Sequence, residues 1–296
     1  MKPRNYLNNK DILKEIHKSK SSFCSFVNKE IDHQFDLIVK HVSDIHKRYE
    51  TLEDGTYVMA IAKAKANRAK RLGVAAFDEH KKAGGKLKQA SFTIDPKTVE
   101  KTDLVFRVMT FDHIPEEPGR KKKPKTIADT KVKLCFPPFK HYRFNSEGVV
   151  TCVAKSHWIG EVAIGKFAKE KGKATNELAK MWIKLCERYA TRGNVRGYSY
   201  NDEMRGQAIM QLAQVGLQFD ESKSDNPFAY YTQTVTNSFV RVINVEKRAQ
   251  DVRDDLLEIQ GLNPSYTRQN KGQWEIALEK HNQEFGIVAE INSTDE

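Results

Sequence analysis

Residues 225–233 read Asp225-Asn226-Pro227-Phe228-Ala229-Tyr230-Tyr231-Thr232-Gln233, and they open a helix with two different faces. Asn226 makes a good N-cap, because its side-chain oxygen accepts one of the amide protons that a first helical turn leaves unpaired. Pro227 follows at the first helical position, where an N–H would have had no partner. Downstream, Phe228, Tyr231, Val235, Phe239, Val242 and Val245 recur every three or four residues as an apolar stripe. Tyr230, Thr234, Asn237, Arg241, Asn244 and Arg248 make a second face, polar and basic, with an aromatic ring at its start. That face offers a ring for stacking, amides for base edges and arginines for phosphates. The competing reading of the same pattern is an amphipathic core helix with a solvated face.

The residues before this helix favour the first reading. Tyr198-Ser199-Tyr200-Asn201-Asp202-Glu203-Met204 leads into a helical stretch from Arg205 to Asp220. Glu221-Ser222-Lys223-Ser224 is a short loop, and the Asn226-Pro227 cap follows it. In this order the segments resemble region 2 of bacterial sigma factors. They are most similar to the late-transcription sigma factors of T-even-type bacteriophages, in particular the long versions carried by marine cyanophages. The resemblance runs nearly unbroken from Tyr198 to Gln233. It extends upstream through Trp158-Ile159-Gly160-Glu161 and downstream through Arg253-Asp254-Asp255-Leu256. The start, Asn5-Tyr6-Leu7-Asn8-Asn9-Lys10, also looks like the start of that family, so about half the chain is covered.

The resemblance implies a division of labour between the two helices. The first would dock on the clamp helices of the β′ subunit of the host core RNA polymerase through Glu203, Gln207, Gln211, Gln214 and Gln218. Uncharged donors and acceptors suit a polar protein interface, although glutamine also serves simply as a helix former. Where the family commonly has an acidic residue followed by Gly, this chain has Gln207-Ala208. The second helix would bind the −10 region of promoter DNA. Phe228, Tyr230 and Tyr231 are its aromatic candidates, with Phe228 and Tyr231 also readable as core. Asn237 and Asn244 would read base edges, and Arg241, Lys247 and Arg248 would hold phosphates. Thr234-Val235 stand where housekeeping sigma factors carry a tryptophan pair, which the phage late factors also lack. The family ends in a hydrophobic, acidic epitope for the DNA sliding clamp and depends on accessory partners such as a late co-activator. Phe285, Ile287, Val288 and Ile291 would serve as that epitope here; a frayed helix end explains them equally.

Composition bounds these readings. The 296 residues are long enough for a full core in one or two domains. Fifty Lys and Arg against 39 Asp and Glu give a net charge of +11, which favours a polyanionic partner such as nucleic acid. Cys24, Cys135, Cys152 and Cys186 are scattered, with no C-x-x-C and no ordered histidine partners, so no metal site is expected. Reduced thiols, no membrane-spanning apolar run and no signal-peptide stretch at Met1-Lys2-Pro3-Arg4-Asn5 place the expected site of action in the cytoplasm of the infected bacterial host.

Along the chain, residues 10–50 read as an N-terminal helical segment, with Ile12, Ile16, Phe23, Phe26, Val27, Ile31, Phe35, Leu37 and Ile38 as its stripe. Residues 57–82 read as a second helix, whose basic face (Lys63, Lys65, Arg68, Lys70, Arg71) reads as solvated. Within 91–155, the runs 104–109, 132–136 and 148–153 are β-prone. Pro115–Lys125 reads as a flexible basic loop, and Pro137-Pro138 as a break. Helix is expected from 158 to 192, with Asn176 as a cap and Trp182 and Tyr189 as core anchors. Residues 272–291 read as a last helix or a loose tail.

No G-x-x-x-x-G-K-[ST], H-E-x-x-H, G-x-S-x-G or paired-carboxylate pattern is present, so the chain reads as a binding protein without cofactor rather than an enzyme. Asp112, His113 and Glu116 lie close in sequence, but a loop turn accounts for them. The expected fold is mainly α, a sigma region-2-like helical domain with a small β-containing insertion. Its parts are residues 1–50, an inserted Lys-rich section at 51–155, the region-2-like domain at 156–260 and a C-terminal tail at 261–296. The expected function is a sigma-like initiation factor that directs host core polymerase to an AT-rich −10-like element of phage late promoters. The alternative is a free-standing basic single-strand nucleic-acid-binding protein.

Overall fold

The computed structural model describes residues 7–45, 55–84, 88–116, 122–130, 132–168 and 173–284. The fold is mainly α, about 54% helical, with a small mixed sheet. Helix α1 (Asn9–Ser21) is capped by Asn8, whose side chain accepts from the Lys10 amide. After it the chain enters strand β1 (Cys24–Phe26), a short helix α2 (Lys29–Asp32) and strand β2 (Leu37–Val39). The helical reading of 10–50 therefore holds over α1, the short α2 and residues 43–45, with two strands between them, and residues 46–50 lie outside the described residues. Each three-residue strand is too short to show a periodicity of its own.

Helix α3 (Gly55–Lys82) is followed by three short 3₁₀ turns and strand β3 (Val105–Met109). Strands β4 (Phe139–Phe144) and β5 (Val150–Ser156) complete a five-stranded sheet in the order β1-β5-β4-β3-β2. Only β2 runs parallel to its neighbour, β3; the other pairings are antiparallel. Two of the three β-prone runs form strands, while 132–136 is irregular. The strand that replaces it starts directly after Pro137-Pro138, a pair that reads as a break. Proline without an N–H is tolerated just outside a strand, and the Phe139 amide donates to the hydroxyl of Ser156 on the neighbouring strand β5 at 2.8 Å.

Residues 158–168 form a two-stranded ribbon, β6 (Trp158–Ile159) with β7 (Lys166–Phe167), instead of the expected helix. At helix α4 (Asn176–Ala190) the cap is Thr175, not Asn176; its hydroxyl accepts from the Leu178 amide. Helix α5 (Asn201–Val215) closes through a 3₁₀ turn at Gly216–Gln218, and α6 (Pro227–Ile259) begins with Asn226 accepting from the Ala229 amide and Pro227 inside the first turn. Helix α7 (Tyr266–Glu284) follows a turn tied to α6 by Asp254, whose carboxylate accepts from the Ser265 amide and hydroxyl at 2.8 and 2.7 Å. Among the described residues, no helix is long and apolar enough to cross a membrane.

Two cores result. One fills the bundle of α1, α4, α5 and α6 with Ile16, Leu178, Trp182, Met204, Leu212, Tyr231, Val235 and Phe239. The other lies between α3 and the sheet and holds Val39, Ala64, Ala69, Leu104, Phe106 and Phe144. Strand alternation aims Phe106 and Val108 at the α3 side and leaves Arg107 to point the other way, toward the bundle. The basic row of α3 divides in the same manner. Arg68 is buried and Arg71 pairs with the buried carboxylate of Asp36, while Lys63 and Lys70 are exposed. The α3 face that reads as solvated in sequence is thus partly an anchor onto the sheet.

Candidate nucleic-acid interface

The α5–α6 corner is fixed from below. Lys20, at the end of α1, donates to the Phe219 carbonyl at 2.6 Å and to both oxygens of Glu221 at 2.8 Å. Arg107 of β3 brings its guanidinium to 3.8 Å from the same carboxylate and lies between the rings of Phe35 and Phe139, 3.8 Å from each centroid. Arginine has only donors, so its Nε bond of 2.9 Å to His141 Nε2 makes that nitrogen the acceptor. His141 Nδ1 therefore carries the proton and donates to the Asp32 carbonyl at 2.7 Å. Burial and the adjacent Arg107 push the His141 pKa well below its ordinary value. Burial alone would raise Glu221, but Lys20 and Arg107 hold it down at about 2. One carboxylate thus binds α1, the sheet and the corner from which α6 departs. In sequence Glu221 reads only as part of a Ser/Lys loop; the signal is a lone acid whose partner is a buried-strand arginine far away in the chain.

From this corner α6 presents the predicted residues unequally. Tyr231 is 1% exposed, meets Trp182 edge-on and donates to the Gly216 carbonyl at 3.0 Å. It belongs to the core and cannot stack on a base. Tyr230 is half-buried, packs on Phe219 and donates to the Val215 carbonyl at 2.9 Å, which fixes its ring at the start of the polar face. Phe228 is 38% exposed on the opposite side of the first turn, with its amide bonded to Asn9. Thr234 is half-buried and turns its hydroxyl back to the Tyr230 carbonyl. Asn237, Arg241, Asn244, Lys247 and Arg248 are all exposed. Asn237 is oriented by Gln233, whose amide donates to it at 2.8 Å. At 100° per residue, Tyr230, Asn237, Arg241, Asn244 and Arg248 fall in one narrow row, whereas Lys247 lies to one side. The stripe residue Val245 is 55% exposed, because α6 has by then outrun the bundle.

The glutamine row of α5 is not one open face. Glu203 and Gln214 are exposed, Gln207, Gln211 and Gln218 half-buried. Gln214 and Gln218 line a groove whose other wall includes Thr130, Leu134 and Cys135 of the middle section. Met210, 55% exposed and on the same face as Glu203 and Gln207, escapes sequence reasoning because methionine at helical spacing reads as core. Phe285, Ile287, Val288 and Ile291 lie outside the described residues. Among the described residues no cluster of His, Cys, Asp and Glu could hold a metal ion. No protein-family model, curated protein or solved structure matches the chain.

Proposed function

We propose that this chain is a sigma-like transcription initiation factor that binds host core RNA polymerase and recognises an AT-rich −10-like element of phage late promoters. The observation that carries the reading is the row on α6: Tyr230, half-buried against the core at its base, then Asn237, Arg241, Asn244 and Arg248, all exposed. Capture of an unpaired base needs a ring and fixed polar groups, and stacking contributes roughly 1–3 kcal/mol per base. Tyr230 is the ring with a fixed position, so it is the stacking residue of the proposal, and Tyr231 is not. Glu203, Gln207 and Met210 on neighbouring α5 give the adjoining polymerase contact a polar patch with one apolar anchor, the composition of a protein interface. The region-2-like assignment of the bundle, the infected-host cytoplasm and any sliding-clamp or co-activator requirement belong to this proposal.

Run-off transcription with core polymerase on a template with an AT-rich −10-like element tests it. A discrete start that depends on the protein supports the reading. No initiation, together with no co-purification with core polymerase, replaces it with the free-standing single-strand-binding alternative, which binds DNA without polymerase and with a steep salt dependence.

A further inference from the structure

A cleft of about 820 Å³ lies between the sheet and the α5–α6 corner. Its walls come from parts of the chain that are far apart in sequence: the loop after β2, the end of β3, the loop at 123–128 and the corner itself. Tyr230 lines it, so the cleft opens at the foot of the α6 row. Two further half-buried rings, Phe111 and Tyr142, lie in its lining. Lys40, Lys123, Lys125 and Lys223 stand around them, all exposed. The carboxylates among the lining are Asp112, paired with Lys123 at 2.7 Å, and Asp220, paired with Lys223 at 3.6 Å. Lys40 and Lys125 remain as the surplus positive charge.

We propose that this cleft binds single-stranded nucleic acid, its rings receiving unstacked bases and Lys40 and Lys125 the backbone phosphates. Aromatic faces interleaved with lysines in a groove are what an unpaired strand requires, since every base has a face to stack and every linkage a charge to neutralise. A duplex would use the charge but not the rings. Through Tyr230 the strand continues directly from the polar row of α6. The middle section therefore extends the nucleic-acid path rather than decorating the bundle. The inference rests on the sigma-like reading for its setting, but not for its test.

The test is fluorescence anisotropy of the full chain with a labelled oligothymidylate, titrated at several salt concentrations. The variants are Lys40→Gln/Lys125→Gln, and as a control Lys63→Gln/Lys70→Gln on the exposed side of α3. The cleft pair is expected to weaken binding about tenfold and to lower the slope of log K against log salt by about 0.7 for each phosphate no longer neutralised. The control pair should match wild type. Equal binding by the cleft pair and wild type, no binding by wild type, or equal affinity for the same length of duplex would each overturn the inference. Displacement of the oligonucleotide by polyglutamate at equal charge would do so too, by reducing the cleft to a general polyanion surface. Failed run-off transcription with intact, cleft-dependent oligonucleotide binding would remove the sigma-like reading and leave the cleft standing.

Discussion

Lys20 and Glu221, 201 residues apart in sequence, meet with both carboxylate oxygens 2.8 Å from one ammonium, and neither side chain is more than 5% exposed. Removing one partner of such a pair leaves the other charge buried and uncompensated, at a cost of about 3–5 kcal/mol. Glu221 also faces Arg107, so Glu221→Gln strands two cations and should be the costlier change. Lys20→Met leaves the carboxylate with Arg107 and should cost less. Lys223→Ala, on the exposed side of the same loop, should stay within about 0.5 kcal/mol of wild type. Urea denaturation of the three variants gives the order directly; a Glu221→Gln protein as stable as Lys223→Ala would show that the corner is held by packing alone.

The same cluster sets how the fold answers acid. Burial and neighbouring Arg107 keep His141 neutral; burial lowers His113 to about 4 and His157 to about 3. In the unfolded chain these histidines take up a proton near the ordinary 6.5, whereas the folded chain does not. The unfolded state therefore binds more protons below that pH, and stability falls as pH falls through the window from about 6.5 down to the folded values. Each such histidine removes about 1.4 kcal/mol per pH unit in that window. Glu221 works in a lower window: its depressed pKa contributes stability that is present above the ordinary 4.5 and lost toward about 2. Unfolding free energy measured at about pH 7.5 and about pH 5.5 should already differ by more than 1 kcal/mol. A flat profile down to about pH 5 would mean the histidines are protonated in the native state.

What the sequence makes legible is local chemistry. The Asn226-Pro227 cap, the middle of the apolar stripe that follows it (Tyr231, Val235, Phe239, Val242) and the β-prone run at 104–109 each carry their signal within a few residues and are realised, whereas Phe228 and Val245 at the two ends of the stripe are exposed. What it hides is pairing over distance. β1 and β2 are three-residue strands, defined by their partners Ala154–Ser156 and Phe106–Val108 rather than by any period of their own. β4 carries a register shift between His141 and Tyr142, which breaks its alternation. Arg107 inside a strand pattern looks like a solvent-facing position until Glu221, Phe35 and Phe139 are placed around it. The 100° between adjacent helical residues already puts Tyr231 inside the stripe and Tyr230 outside it; what the sequence hides is that Tyr230 is itself half-buried, held against Phe219, 11 residues away.

Two glycines near the interface make opposite predictions. Gly206, inside α5, has nothing within 4 Å of where a Cβ would sit. Gly206→Ala removes backbone freedom from the unfolded chain at no steric cost and should stabilise the protein by about 0.5–1 kcal/mol. At Gly216 an added Cβ would run into the ring of Trp182, which is 3% exposed and has little room to retreat. Gly216→Ala should therefore destabilise by about 1–3 kcal/mol. Thermal denaturation separates them, and similar shifts for both would show that Trp182 moves freely at the turn.

Tyr230, Tyr231 and Arg241 separate function from folding. Tyr231→Ala empties a core position beside Trp182 and should cost about 3–5 kcal/mol, with activity falling only as the folded fraction falls. Arg241→Ala removes an exposed side chain and should leave stability within about 0.5 kcal/mol of wild type. If the α6 row holds promoter DNA, polymerase-dependent initiation should nevertheless drop about tenfold, the worth of one charge-assisted hydrogen bond. Tyr230→Phe keeps the ring and gives up only the bond to the Val215 carbonyl, so it should preserve initiation. Tyr230→Leu keeps apolar bulk against Phe219 but has no face for a base, and should lose it. Run-off transcription and urea denaturation on the same preparations decide the matter. An Arg241→Ala or Tyr230→Leu protein that initiates as well as wild type would leave α6 as a scaffold helix and move the DNA-binding surface elsewhere.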